Sequence, residues 1–459
     1  MLKSLLLSFS LLLLFPAFAT ASKFLVLTVY QGGTALVNDV RSFELESGTG
    51  ETAVSGLPET MRFGSLLVRS VTAPKDFRIV FTRFHSGGLS SADVLRRNIG
   101  NTLKFVLPGE HEADSRRVVK ARLLGIEGGH ALLGMDDGGM WIGPYEAVML
   151  DSTPKDAVLA PLLTWKYSNK GPKKQDVALS YLADGLDWDA EMVLTDHGGR
   201  FSMGAWATID NRSGNRFEDA RVMLVAGEVR TGRPSAPVMR NKAFAVEMDM
   251  AAAPMPERSS FGQWHLYDAG KGYTLPTGAS TRIALFEVDD MPVTRWLYAR
   301  NNVGLSPRRG VQQRPLNIKL KLENRGTGQP IPSGVVRVYE PGPNGGSLFA
   351  GETNIGNVPE KGKATLDVGR AFDVTMDRRQ TEYRKTGKRS YVVAYEVTLN
   401  NARDDAADVV LDERVPGEWE ITSSNIKPEK KDSATMRYSL KVPGKGKAVV
   451  TYRLEVELQ

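Results

Sequence analysis

The densest acidic group in this 459-residue sequence is Asp184, Asp187, Asp189 and Glu191. In an extended strand the last three share one face, because successive side chains alternate. Paired carboxylates bind calcium, or flank a glycosidic bond as acid and base. A glycan hydrolase working through Asp187 and Asp189 is therefore the enzymatic alternative. Leu186, Trp188 and Ala190 alternate with these acids, however, and that pattern equally predicts a half-buried strand with a solvated acidic face.

A basic cluster, Arg378, Arg379, Arg384, Lys385, Lys388 and Arg389, surrounds Thr386-Gly387, which reads as a hairpin tip. Its charge density would attract anionic glycans or phosphorylated lipid head groups. Other chemistries find less support. There is no cysteine, which excludes thiol nucleophiles, iron–sulfur clusters and thiolate zinc sites. The histidines are scattered at 85, 111, 130, 197 and 265; His111-Glu112 opens a zinc-protease pattern, but Ser115 stands where the second histidine belongs. Met248, Met250, Met255 and His265 resemble soft copper ligands only in type, since their surroundings are a Pro- and Ala-rich linker. Trp141 and Trp264 are candidates for stacking against sugar rings. Gly48 to Ala53 matches a loose dinucleotide fingerprint, but Gly56-Leu57-Pro58 leaves no room for the helix it requires, so a turn is expected. No cofactor is expected.

The elements that must hold these residues are almost all strands. The first residues read as an export signal: Lys3, an apolar run from Leu5 to Phe15, then small residues allowing cleavage after Ala19 or Ala21. The run is shorter than the roughly 20 residues a spanning helix needs. No cysteine follows it for lipid attachment, so an exported, periplasmic or secreted chain without a transmembrane anchor is expected. Such a compartment permits disulfides, yet none can form, so the domains must stand on apolar burial alone. With 45 glycines and 24 prolines, turns between short strands are expected throughout. The formal charge of +6 is modest and interleaved with acids, which does not argue for nucleic acid.

The predicted fold class is all-β: serial immunoglobulin-like β-sandwiches with an N-terminal β domain, a small SH3/Sm-like barrel and one short helix. The expected divisions are a signal peptide at 1–21, an N-terminal β-sandwich at 22–88, and a short helix plus barrel at 89–152. A sandwich region follows at 153–300 with a mobile loop at 230–262, and a C-terminal sandwich region at 301–459. The helix should begin near Ser90 or Ser91, carry Val94, Leu95 and Ile99 on its apolar stripe, and end at Gly100. Three copies of one unit support the sandwiches. An alternating strand leads to Asn211-Arg212-Ser213-Gly214, to Asn324-Arg325-Gly326 or to Asn400-Asn401-Ala402, and a second alternating strand follows each. Asn and Gly are expected there because they tolerate a left-handed backbone.

Several of these segments together resemble a known bacterial family. Ser180-Tyr181-Leu182, Gly185-Leu186-Asp187-Trp188 and Asp210 to Gly214 are similar to the domain of unknown function 4139 family, which includes the mucoidy inhibitor A homologues. Tyr395 to Asn401 and Pro416-Gly417-Glu418-Trp419-Glu420-Ile421 resemble its carboxy-terminal portion. Many members carry a long coiled-coil insertion after the first β region, which this sequence lacks. The resemblance implies an exported β protein and assigns no reaction or catalytic residue. A non-catalytic binding or structural module of the cell envelope is thus expected, with an envelope protein or anionic surface polymer as partner.

Overall fold

The computed structural model describes residues 21–87, 91–108, 116–151, 160–227, 257–261 and 264–458. The signal at 1–21 lies outside these apart from Ala21, as do His111, Glu112, Ser115, Met248, Met250 and Met255. The expected loop at 230–262 also lies outside them except for the strand Glu257–Phe261.

Alternating apolar residues produce alternating burial, and the chain is nearly all strand. In Phe201–Asn211 every second side chain is buried from end to end, the signature of a strand with one face in a core. A seven-stranded sheet runs in the order Glu257–Phe261, Trp264–Leu275, Phe217–Ala226, Ser22–Tyr30, Thr34–Glu44, Lys174–Asp184, Leu67–Ser70. Against it lie a three-stranded sheet (Gly48–Ser55, Leu162–Asn169, Phe77–His85) and a five-stranded one (Ala279–Met291, Phe201–Asn211, Leu186–Asp196, Gly334–Pro341, Ser347–Ile355). One apolar core joins all three, with Phe43 edge-on to Trp165 at 5.1 Å and Trp188 edge-on to Tyr267 at 6.3 Å. Gly50 does not sit in a turn, as the glycine spacing predicts, but on the strand Gly48–Ser55 directly opposite Tyr167. A β-carbon on Gly50 would lie 2.4 Å from the Tyr167 hydroxyl oxygen, so the ring needs a glycine beneath it.

The barrel segment keeps to itself. Its strands order as Ala147–Met149, Thr102–Leu107, Arg117–Glu127, His130–Gly134, Met140–Pro144, around a separate core that includes Leu95 of the helix Ser91–Arg97. Ile99 is exposed, so the helix's apolar stripe is narrower than expected.

A nine-stranded sheet closes the C-terminal part. Its order is Glu418–Ser424, Gly446–Glu457, Ser390–Asn401, Lys363–Lys385, Gln312–Glu323, Val293–Asn302, Ala407–Arg414, Thr435–Val442, Glu429–Asp432. Its two ends meet where Trp419 Nε1 donates to the Ser433 carbonyl at 2.8 Å, so the sheet folds over its own apolar core.

In each repeated unit the two strands do not pair with each other. Phe201–Asn211 and Phe217–Ala226 lie in different sheets, as do Gln312–Glu323 and Gly334–Pro341, while Ser390–Asn401 and Ala407–Arg414 are separated by three strands of one sheet. The turn is an arch between layers, and the second strand always finds a parallel partner: Ser22–Tyr30, Leu186–Asp196 and Val293–Asn302 respectively. Strands from 22–88 and 153–300 therefore share the seven-stranded sheet, and Gly334–Pro341 joins a sheet begun at 186.

The asparagines at these arches are not the left-handed residues; Gly214 (φ 81°) and Gly326 (φ 89°) are. Asn211, Asn324 and Asn401 are instead buried, with side-chain amides donating to backbone carbonyls at strand ends and in the adjoining loops. Asn169 does the same beside Gly171, donating to Leu45 and Pro172, and makes a fourth arch of the same kind.

The parallel pairing of Ala190 with Gly334 tolerates no side chain. A β-carbon there would stand 2.0 Å from the Ala190 carbonyl oxygen. Gly334→Ala is expected to destabilise the chain by about 1–3 kcal/mol through forced strand separation, read as a lower urea midpoint.

Candidate functional site

The acidic group divides between two elements. Asp184 ends the strand Lys174–Asp184, and Gly185, at φ 80°, turns the chain into the next sheet. There the Asp184 carboxylate accepts from Thr34 Oγ1 at 3.1 Å and from Arg62 Nε at 2.9 Å. Asp187, Asp189 and Glu191 do share the outer face of Leu186–Asp196, as their spacing predicts. Asp187 Oδ1 accepts the Gly32 backbone amide at 2.9 Å, which ties two sheets together. Glu191 accepts from Thr208 Oγ1 at 3.2 Å and from Arg337 at 3.3 Å. Asp184, Asp187 and Glu191 thus hold neighbouring strands in register, and no three histidine, aspartate or glutamate side chains converge as a metal site among the described residues.

The basic cluster also divides. Arg378 is not at the surface: alternation along Lys363–Lys385 turns Val374, Met376 and Arg378 inward, and Arg378 is 3% exposed. Its guanidinium donates to both oxygens of the buried Glu413, at 3.2 and 2.8 Å, and to Tyr452 Oη at 3.1 Å, while resting 3.7 Å from the centre of the Tyr395 ring. Asn301 donates to Glu413 Oε1 at 2.7 Å. Burial opposes the charge on Arg378, but Glu413 and Tyr452 more than offset it and hold the guanidinium above its ordinary value. Burial, with Glu413 adding to it, likewise pushes Tyr452 well up. The adjacent Tyr438 is pushed up to about 12, again chiefly by burial. This is a core anchor, and it leaves the ligand patch one residue smaller than the sequence predicts.

What remains outside is the tip. Arg379 pairs with Glu396 at 3.0 Å. Arg384, Lys385, Lys388 and Arg389 are exposed, and among the described residues no carboxylate lies within ion-pair distance of them. Tyr383 and Tyr391 stand 6.4 Å apart at the base, with the Lys385 ammonium 6.0 Å from the Tyr391 ring centre.

A second basic feature lies on the outward face of the same sheet. Around an open cavity of about 620 Å³ stand Trp296 and Tyr298, with Lys319 and Lys321 on one flank and Lys431 and Arg437 on the other. The register explains the grouping. Thr294 pairs with Lys321 and Trp296 with Lys319, while on the far side Tyr298 lies beside Val410 in a parallel ladder. Beneath one flank, the buried Asp412 accepts from Arg437 Nε at 2.7 Å, Lys431 Nζ at 3.0 Å and Tyr298 Oη at 3.0 Å. Burial alone would raise the Asp412 carboxyl, but the hydrogen bonds from Arg437 and Lys431 hold it below the usual carboxylate range. On the other flank Lys319 reaches Asp367 at 2.5 Å and lies 5.6 Å from the Tyr298 ring centre.

Sequence patterning marks different tryptophans. Trp141 is half-buried against the barrel core with its indole nitrogen buried, and Trp264 is half-buried at a strand start. Trp296 has no sequence signal of its own beyond its place in the alternation Thr294, Trp296, Tyr298. No family model matches this chain, and no curated protein matches it significantly.

Proposed function

We propose that this chain is a non-catalytic binding protein of the bacterial envelope that holds an anionic surface polymer through its C-terminal sheet. The observation that carries this reading is the hairpin tip, where Arg384, Lys385, Lys388 and Arg389 are exposed with no carboxylate within ion-pair distance among the described residues. Unneutralised cations on an exposed tip attract polyanions at long range and in a salt-dependent way. The apolar leader at the start of the sequence and the resemblance of Ser180 to Gly214 to an exported family support the envelope setting. The engagement of Asp184, Asp187 and Glu191 in inter-strand bonds gives the hydrolytic alternative no observation of its own.

Exchanging Arg384, Lys385 and Lys388 together for glutamine tests it. Three exposed ion contacts at about 0.5 kcal/mol each make retention on anionic envelope material roughly tenfold weaker at low salt, with the difference vanishing at high salt. Retention equal to that of the parent chain at every salt concentration overturns the reading.

A further inference from the structure

We infer that the cavity over Trp296 and Tyr298 is a subsite for a carboxylated sugar residue of a glycan chain. This deepens the proposed function, yet it stands on different residues and a different region. Thr365 at the cavity and Lys385 at the tip lie twenty positions apart on one strand, Lys363–Lys385, whose ladder slips between Arg370 and Thr375, leaving a separation on the order of 50 Å.

Three features fix the ligand class. First, Trp296 and Tyr298 are consecutive outward residues of one strand, so both side chains lie on the same sheet face at the cavity. Such a floor takes the apolar C–H face of a pyranose ring, as aromatic side chains with one apolar face do. Second, the hydroxyls of Thr294 and Thr365 line the same cavity and supply donors and acceptors for ring hydroxyls. Third, the charges have a definite balance. Lys431 and Arg437 are held by Asp412 and Lys319 by Asp367, whereas Lys321 has no carboxylate within ion-pair distance among the described residues. Because Lys431 and Arg437 share the one charge of Asp412, two positive charges are left over, one on each flank, which suits carboxylates on neighbouring sugars of a glycan chain. A nucleic acid strand brings a phosphate with every nucleotide and calls for a continuous basic track.

The test uses the full chain and trigalacturonate, which is too short to reach from the cavity to the tip. Titration calorimetry should detect binding that neutral dextran and oligothymidylate do not displace. Lys321→Gln removes one exposed charge and should weaken binding about two- to threefold, whereas Trp296→Ala removes the floor and should weaken it at least tenfold. The triple glutamine variant of the tip should bind trigalacturonate as the parent chain does. Urea midpoints verify folding, and because Lys321 is exposed its variant decides the matter if Trp296→Ala unfolds. No binding by the parent chain, equal binding by Lys321→Gln, or displacement by oligothymidylate overturns the subsite. None of those results touches the salt-dependent retention at the tip, so the two proposals fail separately.

Discussion

Glu413→Ala is expected to lower stability by about 3–5 kcal/mol, the largest effect of any single change considered. Glu413 is fully buried and is the carboxylate partner of Arg378, itself 3% exposed. Removing it strands a guanidinium in the core and takes away the acceptor for Asn301 Nδ2 as well. Arg378 cannot escape this by losing its proton, because its pKa is far above any accessible pH even as a free side chain. The urea midpoint monitored by near-ultraviolet circular dichroism reads the loss. A control separates the uncompensated charge from lost packing: Arg378→Met with Glu413→Leu removes both charges while keeping volume. It is expected to recover most of the stability, since a buried pair replaced by apolar groups is often neutral. A double variant as unstable as Glu413→Ala would show instead that the hydrogen-bond geometry with Tyr452 and Asn301 is what the core requires.

Asn401→Leu should destabilise by about 2–3 kcal/mol although the side chains have similar volume. Asn401 Nδ2 lies within 2.9 Å of the Asp405 carbonyl, 3.3 Å of Val442 and 3.2 Å of Pro443, and its Oδ1 accepts the Arg403 amide at 3.0 Å. The bond to the Val442 carbonyl is buried and the others are part-buried, so leucine would strip the arch of its cross-links and leave the Val442 carbonyl without this donor. Asn401→Asp keeps the acceptor but sets a carboxylate against carbonyl oxygens, so it should be no better than leucine. If Asn401→Leu matched the parent chain within 0.5 kcal/mol, a margin typical of neutral surface changes, water would have to reach the arch.

The class of fold was legible because period-two alternation is local. Leu316, Leu320 and Leu322 go inward and Lys319 and Lys321 outward with no reference to distant chain. The arches were half legible. Asparagine marked the corners, but its reason is burial among carbonyls, and the fourth corner at Asn169 carries the same alternation in Leu163, Trp165 and Tyr167 before it. Which strands would pair could not be read, because strands in sequence are sent to different layers. The same limit hid the cavity. Trp296 and Lys319 are placed by neighbouring strands, but Lys431 and Arg437 arrive only through Ala407–Arg414, whose pairing with Val293–Asn302 spans more than a hundred residues. Arg378 failed for a simpler reason: a dense run of cations reads as one surface, whereas alternation sends every second residue to the opposite side.

The parallel ladder between Val293–Asn302 and Ala407–Arg414 also constrains how the molecule is made. While the chain emerges from its N-terminus, the strand carrying Trp296 has one neighbour, Gln312–Glu323, long before the other exists. Until residue 414 is available, one side of that strand is an open row of amides and carbonyls able to capture a stray strand. Partners so distant in sequence also make closure slow. The half-built sheet is thus a stage at which a nascent molecule is exposed to aggregation, and at which a chaperone holding the chain would raise the yield.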